Sequence, residues 1–593
     1  MAVNSFREDE QMDLSDEKKI IGRLLSYLKD YKGYLVIIII AMVINVVIGI
    51  INPLLIEETI DNYVTNSDFE GLKKLAVFAV AINLVFIVMV KIRIYFMSMV
   101  SNKIVYTIRQ ELYEHIQTLA FPFFDSRPTG KILARVIGDV NSLKDVLAKA
   151  VTNIIPNALT IIGVAIVMFY KDYRLALASI CATPFLAVAI YLIEKTNHYR
   201  WHVCRKKASN LNAYVHEDIA GIKVVQSLNA EGEAKSQFKE LAEGHRDSFI
   251  HACRVTDLFF PVSDIAAAVG TMMLYMAAAK WLGLENVTVG ELVLFGTYTG
   301  MFWDPIVQLS SFFNQLITNL SAAERVFDIL DTEADIFDKA DAGELPNIEG
   351  SVDFKNVSFT YDEGTDQETK VLEDVSFSVA EGETIALVGP TGAGKTTIVN
   401  LISRFYDIQK GTITIDGHDL RDVKINSLRK QLGVMTQDNF IFHGTVRDNI
   451  AYGKLDATDE EIIAAAKAVN AHDFIMSMEK GYDTELKEQG AGLSIGQRQL
   501  IAFARTMVSQ PRVLILDEAT SSIDTHTEIL VQQGIEALLK NRTSFVIAHR
   551  LSTIQNASRI FVVNDGGIVE SGTPAELMQR KGAYYKLYMA SYS

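Results

Sequence analysis

Six apolar stretches before residue 320 constrain this chain more than any other feature. They lie at residues 34–51, 75–90, 154–170, 175–193, 258–279 and 292–307. The first alone would form about 27 Å of helix at 1.5 Å per residue, close to the hydrocarbon thickness of a bilayer. One such stretch could be a core helix of a soluble protein, but six are not expected in one. The sequence therefore predicts an all-α membrane domain of six transmembrane helices.

The composition fits a chain divided between membrane and water. Hydrophobic residues make up 49% of the sequence, and the mean hydropathy of +0.17 is high for a soluble protein in which 22% of the residues are charged, so the apolar residues are expected to be segregated from the charged ones. Acidic residues outnumber basic ones by 72 to 56, which gives a net charge of −16. Because proteins that bind nucleic acid carry a basic surface, no nucleic-acid partner is expected.

Loop charges predict the orientation of the membrane domain. The connection at 56–72 carries five acidic residues and no Lys or Arg, whereas segments 91–149 and 194–257 are rich in both basic residues. Because basic loops stay on the cytoplasmic side, both termini and the soluble half are expected in the cytoplasm, on a multi-pass protein of the cytoplasmic membrane. The two basic segments have helical patterns, so we expect them to extend the membrane helices far into the cytosol.

Four regions follow from these patterns. Residues 1–32 form a cytoplasmic N-terminal segment with an amphipathic helix, and residues 33–325 form the membrane domain. An acidic linker, 326–350, comes next. From 351 to 593 short β-branched runs alternate with helical segments, which is typical of an α/β domain.

A phosphate-binding loop is the strongest motif of the soluble half. An apolar run leads into GPTGAGKT, which fits the pattern GxxxxGK[ST] between a strand and a helix. Glycines let backbone N–H groups converge on phosphates, and the helix N-terminus adds its positive dipole end. We predict that Lys395 reaches the β- and γ-phosphates and that the Thr396 hydroxyl ligates Mg²⁺. The predicted nucleotide-binding residues here are Gly389, Pro390, Thr391, Gly392, Ala393, Gly394, Lys395, Thr396 and Thr397.

Two carboxylates end the later apolar run VLIL. Asp517 is placed to join the Mg²⁺ shell, and Glu518 is placed to polarise water for attack on the γ-phosphate. Paired acids at a strand end are often only solvated. Downstream of a phosphate loop they indicate an ATP hydrolase.

Between these motifs, LSIGQ at 493–497 resembles the LSGGQ signature of ATP-binding cassette (ABC) proteins. Four further positions resemble that family in the same order: Tyr361 the aromatic residue that stacks on adenine, Gln437 the glutamine loop, Asp524 the D-loop and His549 the switch histidine. The resemblance implies that Gln437 contacts Mg²⁺ or water and that His549 contacts the γ-phosphate. It also implies that the ATP bound by the other chain is contacted by Ser494, Ile495, Gly496, Gln497 and Asp524.

The resemblance extends over the whole chain. Segments near 121–132 and 212–225 resemble the two coupling segments of ABC exporters, and 321–327 resembles the end of their sixth span. The implied architecture is a membrane all-α domain with long cytoplasmic extensions followed by a P-loop α/β ABC ATPase domain. Such a half-transporter is implied to pair with a second chain, with swapped membrane helices and two ATP sites, and to use ATP and Mg²⁺.

The resemblance implies ATP-driven export of hydrophobic or amphipathic compounds from a lipid membrane, of the multidrug type. A lipid flippase and a small-peptide exporter are the alternatives. An ATP-gated regulatory or channel-like protein is a further one, but such proteins often lack the catalytic base, and both Glu518 and His549 are present.

Two acids within the apolar stretches, Asp264 and Asp304, are candidate substrate contacts, because intramembrane acids usually face a cavity or a partner. The neighbouring aromatic residues Tyr298, Phe302 and Trp303 would suit an amphipathic cation. Alternatively, both acids lie near membrane ends, where they are solvated or cap helices broken beside prolines.

The third signature position is Ile495, where the family has glycine. We expect this β-branched side chain to disfavour a positive φ and to block close backbone approach to a phosphate. The chain's own Lys395, Asp517, Glu518 and His549 are intact, so a partner with a normal signature would restore one competent site. A heterodimer is therefore favoured over a homodimer; in the alternative, this position tolerates substitution and the protein is a homodimer.

Overall fold

The structure is a computed structural model that describes residues 14–181, 183–282, 287–361, 369–436, 439–517, 525–547 and 556–590. The chain divides into two units. The first contains the chain up to Gln117 together with Thr129–Thr332, and the second contains Thr118–Pro128 together with the chain from Glu333 onward.

The first unit is helical throughout its described residues. Its α-helices are Leu14–Leu28, Lys32–Glu58, Phe69–Thr118, Thr129–Ala134, Val140–Lys149, Ile155–Lys171, Tyr173–Ile180, Thr183–Ala220, Ile222–Ser227, Glu231–Thr256, Phe259–Ala277 and Val289–Asp331. A 3₁₀ turn lies at Lys29–Tyr31, and π-helical turns lie at Thr59–Val64, Arg135–Asp139, Ala150–Ile154 and Ala278–Leu282.

Within the described ranges, four helical stretches are long and apolar enough to cross a membrane. They are Lys19–Val64, Phe69–Thr118, Thr152–Lys171 and Glu231–Lys280, and they contain four of the six predicted spans. The predicted span 175–193 falls on two helices on either side of residue 182, and 292–307 lies inside the 43-residue helix Val289–Asp331. The count of six spans stays a prediction.

Several helices are far longer than a bilayer requires. Phe69–Thr118 has 50 residues, about 75 Å at 1.5 Å per residue, which is more than twice the hydrocarbon thickness. Thr183–Ala220 and Glu231–Thr256 pack against each other, and the indole N–H of Trp201 donates to the Thr256 hydroxyl at 3.0 Å. The basic segments are therefore helical extensions of apolar helices, as the sequence predicts.

Three connections meet at one end of the first unit. The Lys171 ammonium donates to the Glu57 carboxylate at 2.8 Å. The Asp61 carboxylate accepts from the Gly290 backbone N–H at 2.8 Å and from the Thr288 hydroxyl. These contacts join two further connections to 56–72, the connection whose charges predict an outer position.

The described residues of the second unit form three sheets. Its strands are β1 (Val352–Tyr361), β2 (Thr369–Val379), β3 (Thr384–Val388), β4 (Lys410–Ile415), β5 (His418–Asp419), β6 (Leu432–Met435), β7 (Gly444–Thr445), β8 (Glu485–Leu486), β9 (Val513–Asp517), β10 (Thr543–Ile547), β11 (Arg559–Asn564) and β12 (Gly567–Gly572). Its α-helices are Phe121–Asp125, Lys395–Ile402, Ile425–Arg429, Val446–Ala451, Asp459–Ala468, His472–Met476, Ile495–Val508, Thr525–Leu539, Pro574–Arg580 and Ala583–Ala590.

The central sheet has the order β12-β11-β3-β10-β9-β6, parallel except for β12. An antiparallel sheet has the order β2-β1-β4-β5, and β7 pairs with β8. Both faces of the central sheet are buried, because alternate side chains of a strand point to opposite faces. On β9, Val513 and Ile515 pack in one core with Phe354, whereas Leu514 and Leu516 pack in another with Phe503. This rigid sheet fixes the loops at its carboxyl edge.

Candidate nucleotide-binding site

The phosphate loop lies between β3 and the helix Lys395–Ile402. Gly389 has φ +154° and Gly394 has φ +101°. A Cβ on Gly389 would lie 2.1 Å from the Val563 carbonyl oxygen, and one on Gly394 would lie 3.0 Å from a methyl group of Leu372. Only glycine fits these two positions, so the loop passes close to its own domain. Residues 390–393 of the loop line a cavity of about 420 Å³.

Lys395 is held inside this loop. Its side chain is 7% exposed, and its ammonium donates to the carbonyl oxygens of Gly389 at 2.8 Å and Pro390 at 2.7 Å. Burial lowers the pKa of Lys395, and the nearby Asp517 carboxylate opposes that shift. The ammonium is thus oriented by neutral acceptors that an anionic phosphate can outcompete.

Asp517 ends β9, two strands away from β3 in the same parallel sheet. Because the carboxyl ends of parallel strands meet at one edge, its carboxylate and Lys395 share the region where ligands bind in open α/β sheets. The neighbouring Thr396 is exposed, whereas Thr397 is buried and its hydroxyl lies 3.2 Å from that of Tyr361. A hydroxyl and a carboxylate are oxygen donors of the kind that Mg²⁺ prefers.

Four of the predicted residues, Gln437, Glu518, Asp524 and His549, lie outside the described residues. Two of them lie close to described residues in the sequence: Glu518 directly follows Asp517, and β10 ends two residues before His549. Their assignments stay predictions.

The signature segment begins a helix. Ser494 caps Ile495–Val508, since its hydroxyl accepts from the Gln497 backbone N–H and the Gln497 side chain accepts from the Ser494 backbone N–H. This capping box places Ile495 in the first helical turn, where its backbone φ is not positive. The expectation that Ile495 conflicts with a positive φ is therefore wrong. The expectation that the Ile495 side chain blocks close backbone approach to a phosphate stays a prediction, and this side chain is 41% exposed at the helix N-terminus.

The two candidate substrate acids are exposed in the described chain. Asp264 lies in helix Phe259–Ala277, and Asp304 lies in Val289–Asp331, which continues through Pro305 without a break. The expected grouping of aromatic side chains around Asp304 is wrong. Tyr298, Phe302 and Trp303 are buried in the helical core, whereas Asp304 is exposed. Phe302, two residues before Asp304, is about 200° away from it around the helix axis.

The first coupling segment packs within the second unit. The Phe121 ring lies 4.3 Å from that of Phe405 between centroids, and the Tyr406 hydroxyl donates to the Asp125 carboxylate. Tyr406 also contacts the Tyr361 ring edge to face at 5.1 Å. Sequence reasoning missed Phe405 and Tyr406, although two adjacent aromatic residues one helix beyond the phosphate loop were a visible signal.

The second predicted coupling segment belongs to the first unit. It contains the short helix Ile222–Ser227, which has no buried residue. Ile219, Ile222 and Val224 of this segment are exposed, and so is Leu228 just after it.

A glycine-rich loop that encloses a buried lysine, beside a parallel strand that ends in aspartate, defines a P-loop nucleotide-binding domain. Residues 35–306 match the family described as ABC transporter transmembrane region, and residues 372–521 match the family described as ABC transporter. The chain belongs to the ABC transporter family and is a half-transporter of the exporter type.

Relatives match along nearly the whole chain. The uncharacterized ABC transporter ATP-binding protein YknV of Bacillus subtilis is 39% identical over 96% of this chain and 94% of its own length. A putative multidrug export ATP-binding/permease protein of Staphylococcus aureus is 36% identical over 96% and 99%. An ATP-dependent lipid A-core flippase of Syntrophus aciditrophicus is 35% identical over 100% and 98%.

A solved structure of a bacterial Atm1-family ABC exporter with ATP bound aligns with a TM-score of 0.76 at 28% identity, over 95% of this chain and 99% of that one. The predicted fold class, a helical membrane domain followed by an ABC ATPase domain, is confirmed. The protein is an ATP-hydrolysing exporter of the plasma membrane with several membrane passes. ABC exporters act as dimers, so a second chain completes the transporter.

Proposed function

We propose that this half-transporter exports hydrophobic or amphipathic compounds across the cytoplasmic membrane at the expense of ATP, with its ATPase domain in the cytoplasm. The observation that carries the proposal is the buried Lys395 in a phosphate loop on a chain that also contains long apolar helices. The staphylococcal relative named for multidrug export supports this substrate class.

In this proposal Thr396 and Asp517 hold Mg²⁺, with Gln437 as a further contact, and the ion offsets charge on the β- and γ-phosphates. Lys395 binds those phosphates and Tyr361 stacks on adenine. Glu518 is the general base for attack by water, and His549 contacts the γ-phosphate.

Two substitutions test these roles. Glu518→Gln is expected to retain ATP binding and to lower hydrolysis about 10²–10⁴-fold, whereas Lys395→Ala weakens binding itself. Glu536→Gln, at an exposed acid of the same domain, is the matched control and keeps normal turnover. Normal hydrolysis by the Glu518→Gln transporter would remove Glu518 from the catalytic role.

Transport is measured in everted vesicles with a panel of hydrophobic dyes. ATP-dependent dye accumulation that is lost in Glu518→Gln supports multidrug export. Lipid flipping is the second candidate, because a relative that matches the whole chain is named as a lipid A-core flippase. Translocation of a fluorescent phospholipid in the same vesicles, without dye transport, would favour it.

Asp264 and Asp304 remain our candidate contacts for a cationic substrate, since both are exposed acids on predicted spans. Replacing each by Asn is expected to reduce transport of a cationic dye and to leave a neutral dye unaffected. Equal effects on both dyes would point to a structural role.

We further propose a heterodimer in which the site formed by this chain's LSIGQ binds ATP but turns it over poorly. The support is the branched Ile495 side chain exposed at the helix N-terminus, where the family has glycine. The chain purified alone is expected to show little stimulated ATPase, and its partner is expected to restore it. A stable homodimer with substrate-stimulated ATPase that Ile495→Gly leaves unchanged would contradict the proposal.

A further inference from the structure

A second pocket of the ATPase domain lies at the amino-terminal edge of the central sheet. Its volume is about 520 Å³, and three segments line it: the helix Asp459–Ala468, the turn that follows Ile495–Val508 and the turn that follows Thr525–Leu539. The two turns carry Arg512, Lys540 and Arg542.

Strand register places the two arginines side by side. Arg512 directly precedes β9 and Arg542 directly precedes β10, where Val513 pairs with Thr543 in a parallel arrangement. The Thr543 backbone N–H donates to the Arg512 carbonyl oxygen at 3.2 Å. The phosphate loop follows β3 and Asp517 ends β9, so both lie at the opposite, carboxyl edge of this sheet. A strand of five residues separates the two edges by about 16 Å. The pocket is therefore separate from the ATP site.

Arg542 is the fixed cation of this pocket. Its guanidinium donates to the carbonyl oxygens of Pro511 at 3.0 Å and Leu538 at 2.6 Å, and through Nη2 to the Met507 sulfur at 3.4 Å. A fourth acceptor is the Ala537 carbonyl oxygen at 3.5 Å. All four are neutral, and a thioether sulfur is a weak acceptor. Burial, and then the neighbouring Arg512, lower the pKa of Arg542. The guanidinium is thus oriented by backbone carbonyl groups, including that of Leu538 at the end of helix Thr525–Leu539, and not by a carboxylate.

The other two cations, Arg512 and Lys540, are exposed at the pocket. Within the described part of the chain, none of the three cations has a carboxylate within 4.0 Å. One acid, Glu461, lines the pocket, but its carboxylate accepts from the Lys454 ammonium at 2.6 Å and from the Thr458 backbone N–H at 3.0 Å. A chain with a net charge of −16 thus carries a pocket of positive charge.

We propose that this pocket binds a small phosphate-bearing anion. Two guanidinium groups and an ammonium offer charge-assisted hydrogen bonds to several phosphate oxygens, a geometry for which arginine is suited. An anionic oxygen replaces the Met507 sulfur as the acceptor of Arg542 Nη2. The alanines of helix Asp459–Ala468 and Met507 form an apolar wall for the body of the ligand. A free phosphomonoester and a phospholipid headgroup share this chemistry.

The test uses the assembled full-length transporter in nanodiscs, with the ATP sites saturated with MgADP. Isothermal titration with glycerol 3-phosphate measures the free ligand in phosphatidylcholine nanodiscs. Native mass spectrometry of lipids retained from phosphatidylglycerol–phosphatidylcholine mixtures measures the headgroup. The test variant is Arg512→Ala/Lys540→Ala, which removes two exposed side chains and keeps Arg542 and its contacts. Lys355→Ala/Lys430→Ala removes two exposed cations elsewhere on the domain and is the control.

Saturable binding of glycerol 3-phosphate that weakens at least tenfold in the test variant and not in the control supports a free phosphomonoester. Selective retention of phosphatidylglycerol that is lost only in the test variant supports the headgroup. The proposal is overturned if neither probe binds the wild-type transporter, or if the test variant binds both as the wild type does. MgADP binding unchanged in both variants keeps the result independent of the ATP site.

Discussion

Both predicted coupling segments resemble coupling segments of ABC exporters in sequence, but their side chains have different environments in the structure. Phe121–Asp125 belongs to the second unit; Phe123 is 4% exposed, and the Phe121 ring lies 4.3 Å from that of Phe405 between centroids. The segment around Ile222–Ser227 exposes most of its apolar side chains, with Val224 60% and Leu228 72% exposed.

The difference shows which contacts one chain can make by itself. Apolar side chains clustered on a surface mark an interaction site. The first segment makes its interaction within its own chain. ABC exporters act as dimers, so we expect the partner chain's ATPase domain to cover the second segment. The substitutions below probe this contrast.

The largest effect is expected at the second segment. Ile222→Asp together with Val224→Asp places charges on the surface that is to be covered, so stimulation of ATPase by a transported dye should fall to the basal rate. Thermal unfolding of the chain should change little, since surface substitutions usually change stability by about 0.5 kcal/mol or less. Lys223→Ala, at an exposed residue of the same helix, is the control. Retained stimulation in the double variant would remove the docking role from this segment.

At the first segment, Phe121–Asp125, we expect a substitution to lower the local stability of the chain itself. Phe123→Ala removes a buried aromatic side chain, which typically costs about 3–5 kcal/mol. Faster hydrogen exchange of residues 119–127 would measure the loss. Phe124→Ala is the comparison: Phe124 is 40% exposed and contacts the Phe123 ring edge to face at 5.3 Å, so its loss should cost only about 0.5–1.5 kcal/mol. Equal exchange in the two variants would show that the segment is not anchored by Phe123.

The same contrast explains what could be predicted from sequence. The phosphate loop is contiguous, and the spacing of its glycines and Lys395 determines its local structure; the division into membrane helices and an α/β domain follows from hydrophobic periodicity. The hydrogen bond between Tyr406 and Asp125 joins residues 281 positions apart. No local pattern encodes such a pairing, so the cis docking of the first segment was beyond sequence reasoning.

Two errors came from local patterns that were present but not used. The Ser494 and Gln497 spacing of a capping box indicates that a helix begins at Ile495, which excludes a positive φ there. Helical geometry likewise separates Phe302 from Asp304 by about 200°. The second segment is different, because we expect a partner chain to cover it and no pattern within one sequence specifies that contact.

A smaller effect is expected when one hydrogen bond of the first segment is removed. Tyr406→Phe keeps the ring contact with Tyr361 and deletes the donor to Asp125. Hydrogen bonds to charged groups contribute about 1.5–3 kcal/mol, so hydrogen exchange of residues 119–127 should quicken less than in Phe123→Ala. Tyr452→Phe removes an exposed hydroxyl from the same domain and should leave this exchange unchanged. An effect as large as that of Phe123→Ala would mean that the ring contacts were also lost.

The smallest effect isolates the aromatic pair. Phe121→Leu keeps an apolar side chain at this position and removes the ring that lies 4.3 Å from Phe405. Aromatic pairs contribute about 0.5–1.5 kcal/mol beyond their buried area. A double-mutant cycle with Phe405→Leu, read by hydrogen exchange of residues 119–127, separates this pair energy from burial. Because Phe405 also lies under the Arg429 guanidinium, at 5.0 Å from the ring centroid, the single Phe405→Leu variant loses a second contact that the cycle cancels. A coupling energy near zero would mean that burial alone holds the first segment on its domain. The second segment would then need only an apolar surface on its partner, and not an aromatic residue opposite it.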